Sequence, residues 1–269
     1  MLRLLQIEWL KVKNYRTFWI LLAMTIVSIP GWSYLIISLM NNKFPKSNGK
    51  SFLGSPFAFP DAWQTVSYNS APFLFIIPAI LVITLTTNEF TFKTHRQNVI
   101  DGWSRGQFVS VKLFELLLLS IVCTVIVFLT TLVFGTMLNK VPDGVSIWSG
   151  CRFVFFYFIQ AISYFMIAFL MALLIKRAGL AMAAFLGYLI GEQIIVGVTI
   201  NLLHSDAANY LPEEVTDSLI PQPYGKKMLT TPDQINQWEH HIPIYLVVAL
   251  VYLILYVVIS RRRFTTSDL

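Results

Sequence analysis

Residues 113–137, LFELLLLSIVCTVIVFLTTLVFGTM, form a largely apolar run of 25 residues. A hydrocarbon core about 30 Å thick takes roughly 20 apolar residues to cross as a helix. In lipid the backbone N–H and C=O groups find no water, so a run of this length must satisfy them internally as a helix. Working outward, five more candidates follow: Phe18–Met40, Phe73–Thr87, Phe153–Ile175, Leu180–Leu203 and Ile244–Ser260. None alternates as a membrane barrel strand would. The composition agrees, with 56% hydrophobic and 13% charged residues where a soluble domain carries about 25% charged. The sequence predicts an all-α, polytopic membrane protein with six crossings in a single domain spanning residues 1–269.

Six crossings put both termini on one side, and Lys and Arg choose that side. One face receives Arg3, Lys11, Lys13, Arg16, Lys93, Arg96, Arg105, Lys112, Lys176, Arg177 and Arg261 to Arg263, thirteen of the 20 basic residues. The other face holds most of the acids, among them Asp206, Glu213, Glu214, Asp217, Asp233 and Glu239. Both termini are therefore expected in the cytoplasm. The net charge of +6 reports this orientation and not nucleic-acid binding, because no basic face with interleaved aromatics stands free of the bilayer. No cleavable signal peptide is expected, since the first apolar run is too long and lacks a small-residue cleavage site. Cys123 and Cys151 are not expected to pair.

Ahead of the first crossing, residues 1–16 read as an amphipathic interfacial helix. Leu2, Leu5, Trp9 and Val12 recur at helical spacing, while Arg3, Lys11 and Arg16 reach anionic headgroups. Pro30-Gly31 and Pro78 predict bends in the first two crossings. Of the two long outer segments, residues 41–71 offer a short helix at Pro60-Asp61-Ala62-Trp63. Residues 204–242, the outer insertion, offer two more: one at Pro212-Glu213-Glu214 and one at Thr231-Pro232-Asp233-Gln234, a capping box with Pro at the first helical position.

The long charged stretch between two crossings is 89–112. Glu89, Lys93 and Arg96 share a helical face with the favourable acid-before-base order. Asp101-Gly102 breaks that helix. Ser104 and Gln107 form a capping box for the next one, with Trp103 stapled onto Phe108. A helix, a sharp turn and a capped membrane helix make a unit that can transmit a push; the bland alternative is a polar loop whose charges only hold topology.

Glu89, Thr94, Arg96, Gln97, Asn98, Ser104-Arg105, Phe108 and Lys112 resemble the signature of ATP-binding-cassette (ABC) type 2 permeases, and the six-crossing plan with its entry helix and outer insertion resembles them too. Lys93 departs from the pattern, which usually has Gly before Thr94. The resemblance implies that residues 89–107 are a coupling segment docking on a separate cytoplasmic ABC ATPase subunit. Glu89, Arg96 and Arg105 would contact or brace that subunit, with Lys93, Thr94 and Asp101 completing the segment and Ser104 and Lys112 anchoring the third crossing. It further implies a pair of permease chains in a bacterial cytoplasmic (inner) membrane, export as the direction, and no cofactor in this chain, ATP and Mg being held by the ATPase.

Other features weigh less. Gly49-Lys50-Ser51 imitates the end of a phosphate loop, but the required first Gly falls on Phe44. Gly179, Ala183, Gly187 and Gly191 form a small-residue ridge suited to close helix contact, within the chain or with a second copy. Glu192, near the middle of the fifth crossing, must face protein or water or be protonated; it belongs either to a substrate path or proton site, or to an interhelical hydrogen bond with Gln193 sharing the work. His204, His240 and His241 complete no metal-ligand set. Ser33, in Gly31-Trp32-Ser33, lacks a buried His to act as its base, which disfavours an intramembrane protease. The second reading is an ion-coupled or assembly protein without an ATPase, resting on Glu192.

Overall fold

The computed structural model describes residues 2–43, 46–47, 50–51, 57–100, 102–137, 146–203, 205–223 and 232–266. Ten α-helices occur among them. They are α1 (Leu2–Lys13), α2 (Arg16–Lys43), α3 (Ala62–Ile76), α4 (Pro78–Thr91), α5 (Thr94–Ile100), α6 (Arg105–Met137), α7 (Arg152–Ile175), α8 (Ala178–Leu203), α9 (Glu214–Asp217) and α10 (Pro232–Thr266). Two two-residue strands, β1 (Lys46–Ser47) and β2 (Lys50–Ser51), pair antiparallel between α2 and α3. Lys50-Ser51 therefore lies in a small hairpin and opens no helix, as a phosphate loop would.

Five helices (α2, α6, α7, α8 and α10) are long and apolar enough to cross a membrane, and α3 with α4 makes a sixth crossing broken by a bend of about 40°. The break falls at Ile77, where Pro78 supplies no N–H to continue the ladder. The chain is a polytopic all-α membrane protein. Its centre is α7, which packs against α3, α4, α6, α8 and α10 and buries both of its faces, from Phe153 and Tyr157 to Phe165 and Phe169. A helix so largely buried, with Phe155 and Leu174 near its two ends as the exposed apolar exceptions, belongs in the middle of a bundle.

Two expectations are corrected. The second crossing starts at Ala62, not Phe73, and the helix expected on the surface at Pro60-Asp61-Ala62-Trp63 is its buried outer half. Gln64, Thr65, Ser67, Asn69 and Ser70 interrupt the apolar run in sequence, yet all are buried. Some of their polar groups turn back on the backbone: Thr65 Oγ1 donates to Asp61 O at 3.0 Å and Ser70 Oγ to Val66 O at 2.7 Å. The helix beginning at Pro232 is likewise not a separate short element, because it runs straight into the last crossing as one helix of 35 residues. Thr231, its expected cap, lies outside the described residues.

The described part of the outer insertion, 205–223, folds back into the bundle. Tyr252 Oη donates to Tyr210 O at 3.0 Å, Trp238 Nε1 to Ser218 O at 2.8 Å and Gln64 Nε2 to Pro221 O at 2.6 Å. Val215, Thr216, Leu219 and Ile220 are buried. At the opposite, basic end, α1, the α4–α6 junction, Lys176 and the end of α10 gather. Phe108 stacks on Phe264 with centroids 4.5 Å apart, and Lys176 Nζ lies 5.3 Å from the Phe90 ring. At 1.5 Å per residue α6 is about 50 Å long, so it outruns the hydrocarbon core and carries Arg105 beyond it.

Candidate functional site

At the basic end five charged side chains from three helices form one cluster. Glu8 and Lys11 come from α1, Glu89 from the last turn of α4, and Lys112 and Glu115 from α6. Lys112 Nζ lies 2.6 Å from Glu8 Oε2, 3.0 Å from Glu89 Oε1 and 3.2 Å from Glu115 Oε2. An ammonium carries three donors, and here it meets three carboxylates. Lys11 closes the ring at 2.7 Å from Glu8 and 3.3 Å from Glu89. Glu8, Glu89 and Lys112 are only 2%, 4% and 4% exposed, so each charge depends on its partners in place of water. Thr94 Oγ1 donates to Glu89 Oε2, binding the first residue of α5 to the cluster, and Asn88 Nδ2 donates to Tyr15 Oη at 3.2 Å.

The turn between α4 and α5 is shaped by Lys93, whose φ is +55°. Phe92 N and Lys93 N donate back to Asn88 O and Phe90 O, closing α4, and Arg96 N donates to Lys93 O, opening α5. The left-handed conformation is the one that glycine takes most cheaply. The departure from the family pattern at this position thus keeps the geometry and carries its strain. Glu89 and Arg96 lie on two different helices across that turn, so the single charged face expected for 89–96 does not form; Lys93 is exposed while Glu89 turns inward. Arg96 is exposed, and with it Phe92 and Ile100, at 70% and 76%.

The capping box forms as expected: Ser104 N donates to Gln107 Oε1 at 2.9 Å and Gln107 N to Ser104 Oγ at 3.2 Å. Trp103 and Phe108 both enter the core. Arg105 reaches across to α10, donating from Nη1 to Thr265 O at 2.6 Å. Asp101 lies outside the described residues. Of the sequence candidates, Glu89, Thr94 and Lys112 meet in the cluster; Ser104 and Arg105 brace the start of α6; Lys93 and Arg96 face outward. Glu8, Lys11 and Glu115 escaped the sequence reading as site residues. Their signals were an acid three residues before Lys11 in an otherwise basic entry helix, and a lone carboxylate inside the apolar run 113–137.

The ridge on α8 points away from the bundle. Around Gly179, Gly187 and Gly191 a Cβ would meet nothing within 4 Å, and Ala183 is exposed, so the ridge forms no helix contact among the described residues. Glu192, one position on, is buried instead. Its Oε1 accepts from Glu213 N at 2.7 Å and Glu214 N at 3.0 Å, which caps the start of α9. Glu192 stands eleven residues before the end of α8, about 16 Å along the axis, and that distance measures how far the insertion dips. Gln193 shares the work of Glu192, its Nε2 donating to Glu214 Oε2 at 3.4 Å. Beside them Asp217 accepts from Gln160 Nε2 at 2.7 Å and Tyr164 Oη at 3.0 Å. Burial pushes the Asp217 carboxyl up to about 7 against the hydrogen bonds from Gln160 and Tyr164. Burial, then the charges of Asp217 and Glu192, hold Glu213 well above the carboxylate range.

The remaining candidates are not assembled into sites. Ser33 Oγ donates to Ile29 O within its own helix at 3.0 Å. His241 stacks on Tyr245, and His204 lies outside the described residues. Among the described residues no group of three or more His, Cys, Asp or Glu is placed to hold a metal. Compared with known proteins, the sequence matches the family described as "ABC-2 family transporter protein" over residues 4–201. No curated protein matches the chain.

Proposed function

The chain belongs to the ABC-2 transporter family, and from that premise we propose that it is the permease subunit of an ATP-driven exporter, worked by a separate ATPase docking on residues 89–107. The observation that carries this reading is the pairing of an exposed face with a rigid footing. Phe92, Lys93, Arg96 and Ile100 are exposed around α5, an apolar and cationic surface of the kind a partner covers. Directly behind it lie the Glu89–Lys112–Glu8 ion cluster and the Thr94–Glu89 bond. A push on α5 would pass to α4 through Glu89, to α6 through Lys112 and the Ser104 cap, to α1 through Glu8, and to α10 through Arg105.

Both termini and α5 then face the cytoplasm, in keeping with the basic residues at that end. ATP and Mg are bound by the ATPase. A second permease copy packs on the outward ridge Gly179, Ala183, Gly187 and Gly191, where small residues allow close helix approach. With Glu192 occupied in capping α9, the ion-coupled reading loses its principal support. The test is co-expression with an ABC ATPase that co-purifies with the chain: Arg96→Glu, at an exposed site, abolishes permease-stimulated ATP hydrolysis while insertion and melting stay as in the wild type. Unchanged stimulation, or recovery of the native complex without any nucleotide-binding chain, refutes the proposal.

A further inference from the structure

A cleft of about 480 Å³ opens beneath α1, within the range of small-molecule sites. Its walls include Trp9 and Val12 of α1, Trp19 of α2, Leu85 of α4 and Leu119 and Val122 of α6. Trp9, Trp19 and Val122 are exposed, so the mouth of the cleft faces the lipid. One end alone is polar, formed by Glu8, Lys112 and Glu115. From Lys112 to Val122 is ten residues of α6, about 15 Å, which is half of a hydrocarbon core of about 30 Å. The cleft thus spans the depth of one leaflet, with its charged end at headgroup level.

The charges specify the headgroup. Lys112 is shared among Glu8, Glu89 and Glu115, and Lys11 adds a second positive charge to Glu8 and Glu89, so the cluster keeps one negative charge in excess. Glu115 has no other ion-pair partner among the described residues, and its side chain is 24% exposed. A carboxylate largely shut off from water is costly unless a cation or donor completes it. Just beyond, Lys13 and Arg16 are exposed at the junction of α1 and α2, held close to the cleft by Trp19 Nε1 donating to Lys13 O at 2.8 Å. A group that is cationic at its tip and anionic one step away matches this order.

We propose that the cleft is a binding site for a phospholipid with a primary ammonium headgroup, its acyl chain along α6, its ammonium on Glu115 and its phosphate toward Lys13 and Arg16. A choline headgroup, fully methylated, cannot donate the hydrogen bond, and a glycerol headgroup brings no positive charge. The site depends on the membrane placement of the chain and not on the ATPase reading.

The test uses the full chain reconstituted in vesicles containing phosphatidylethanolamine, phosphatidylcholine or phosphatidylglycerol, each brominated on the acyl chains. Quenching assigned to Trp9 and Trp19 is the difference between the wild type and Trp9→Phe/Trp19→Phe. The expected result is an about fivefold preference for the ethanolamine lipid, a modest value for a charge-assisted hydrogen bond. Glu115→Gln reduces that preference to less than twofold. Val122→Phe, which crowds the apolar end and touches no charge, weakens quenching by the ethanolamine lipid and covers the case in which Glu115→Gln fails to insert. Equal quenching by the three lipids means ordinary boundary lipid and overturns the proposal. So do preference for the glycerol lipid, a preference that survives Glu115→Gln, and an absence of quenching because a second chain covers the cleft.

Discussion

Replacing Lys112 by Met tests the cluster on which the coupling proposal stands. The substitution keeps much of the volume and removes the charge that sits 2.6–3.2 Å from three carboxylates. At an effective dielectric of 20, each such contact is worth about 5 kcal/mol before desolvation and before repulsion among the carboxylates. Most of that is offset in the folded state. What remains when one partner of a buried ion pair is removed is about 3–5 kcal/mol. For a chain of this size each kcal/mol moves the midpoint by roughly 2–4 °C, so Lys112→Met should melt roughly 6–20 °C below the wild type. The assay is thermal unfolding of purified protein followed by monodispersity on size exclusion. Lys13→Met, at an exposed site, is the control and should move within about 0.5 kcal/mol. Adding Glu89→Gln to Lys112→Met should restore part of the loss, because one stranded charge disappears while Thr94 keeps an acceptor. A midpoint for Lys112→Met within about 2 °C of the control, or strictly additive losses in the double variant, refutes the reasoning.

Lys93→Gly relieves the left-handed backbone at φ +55° and should raise stability by about 0.5–1 kcal/mol, net of the greater freedom glycine gives the unfolded chain; denaturant or thermal midpoints check it. Glu192→Ala removes the acceptor for Glu213 N and Glu214 N and should cost about 1–3 kcal/mol, with faster hydrogen exchange at residues 213–217, whereas Glu192→Gln keeps an acceptor and costs much less. Asp217, raised to about 7 from 3.8, binds a proton in the folded chain over a range where the unfolded chain has lost it. Its contribution is therefore largest near pH 3.8 and declines as pH rises to about 7. Glu213 and Glu214 beside it are raised as well, so Asp217→Asn should reduce the pH slope of the melting midpoint in that window without removing it.

The crossings at α2, α6, α7, α8 and α10 were legible because lipid demands long apolar helices and little else competes with that signal. The outer half of the second crossing was not: Gln64, Asn69 and their neighbours make it polar, and their burial depends on partners such as Pro221 that are 157 residues away. The Ser104–Gln107 cap was readable because its bonds are local. Glu8 and Glu115 were hidden for the opposite reason, since their meaning lies in Lys112, 104 positions from Glu8. The Glu89–Lys93 spacing suggested a helix pair, yet one left-handed residue between α4 and α5 sends the two side chains apart. Glu192 was visible as an anomaly, while its occupation with α9 required the path of the insertion, which sequence spacing does not encode.

That insertion also bears on where cargo can travel. Among the described residues α7 fills the axis of the bundle, and residues 205–223 sit against it like a stopper. On the proposed permease reading, a solute would move along a corridor at the flank of the molecule, between this chain and a second surface. Loosening the stopper would unfasten α3, α7, α8 and α10, the helices it ties, so opening the corridor and shifting its walls become one motion.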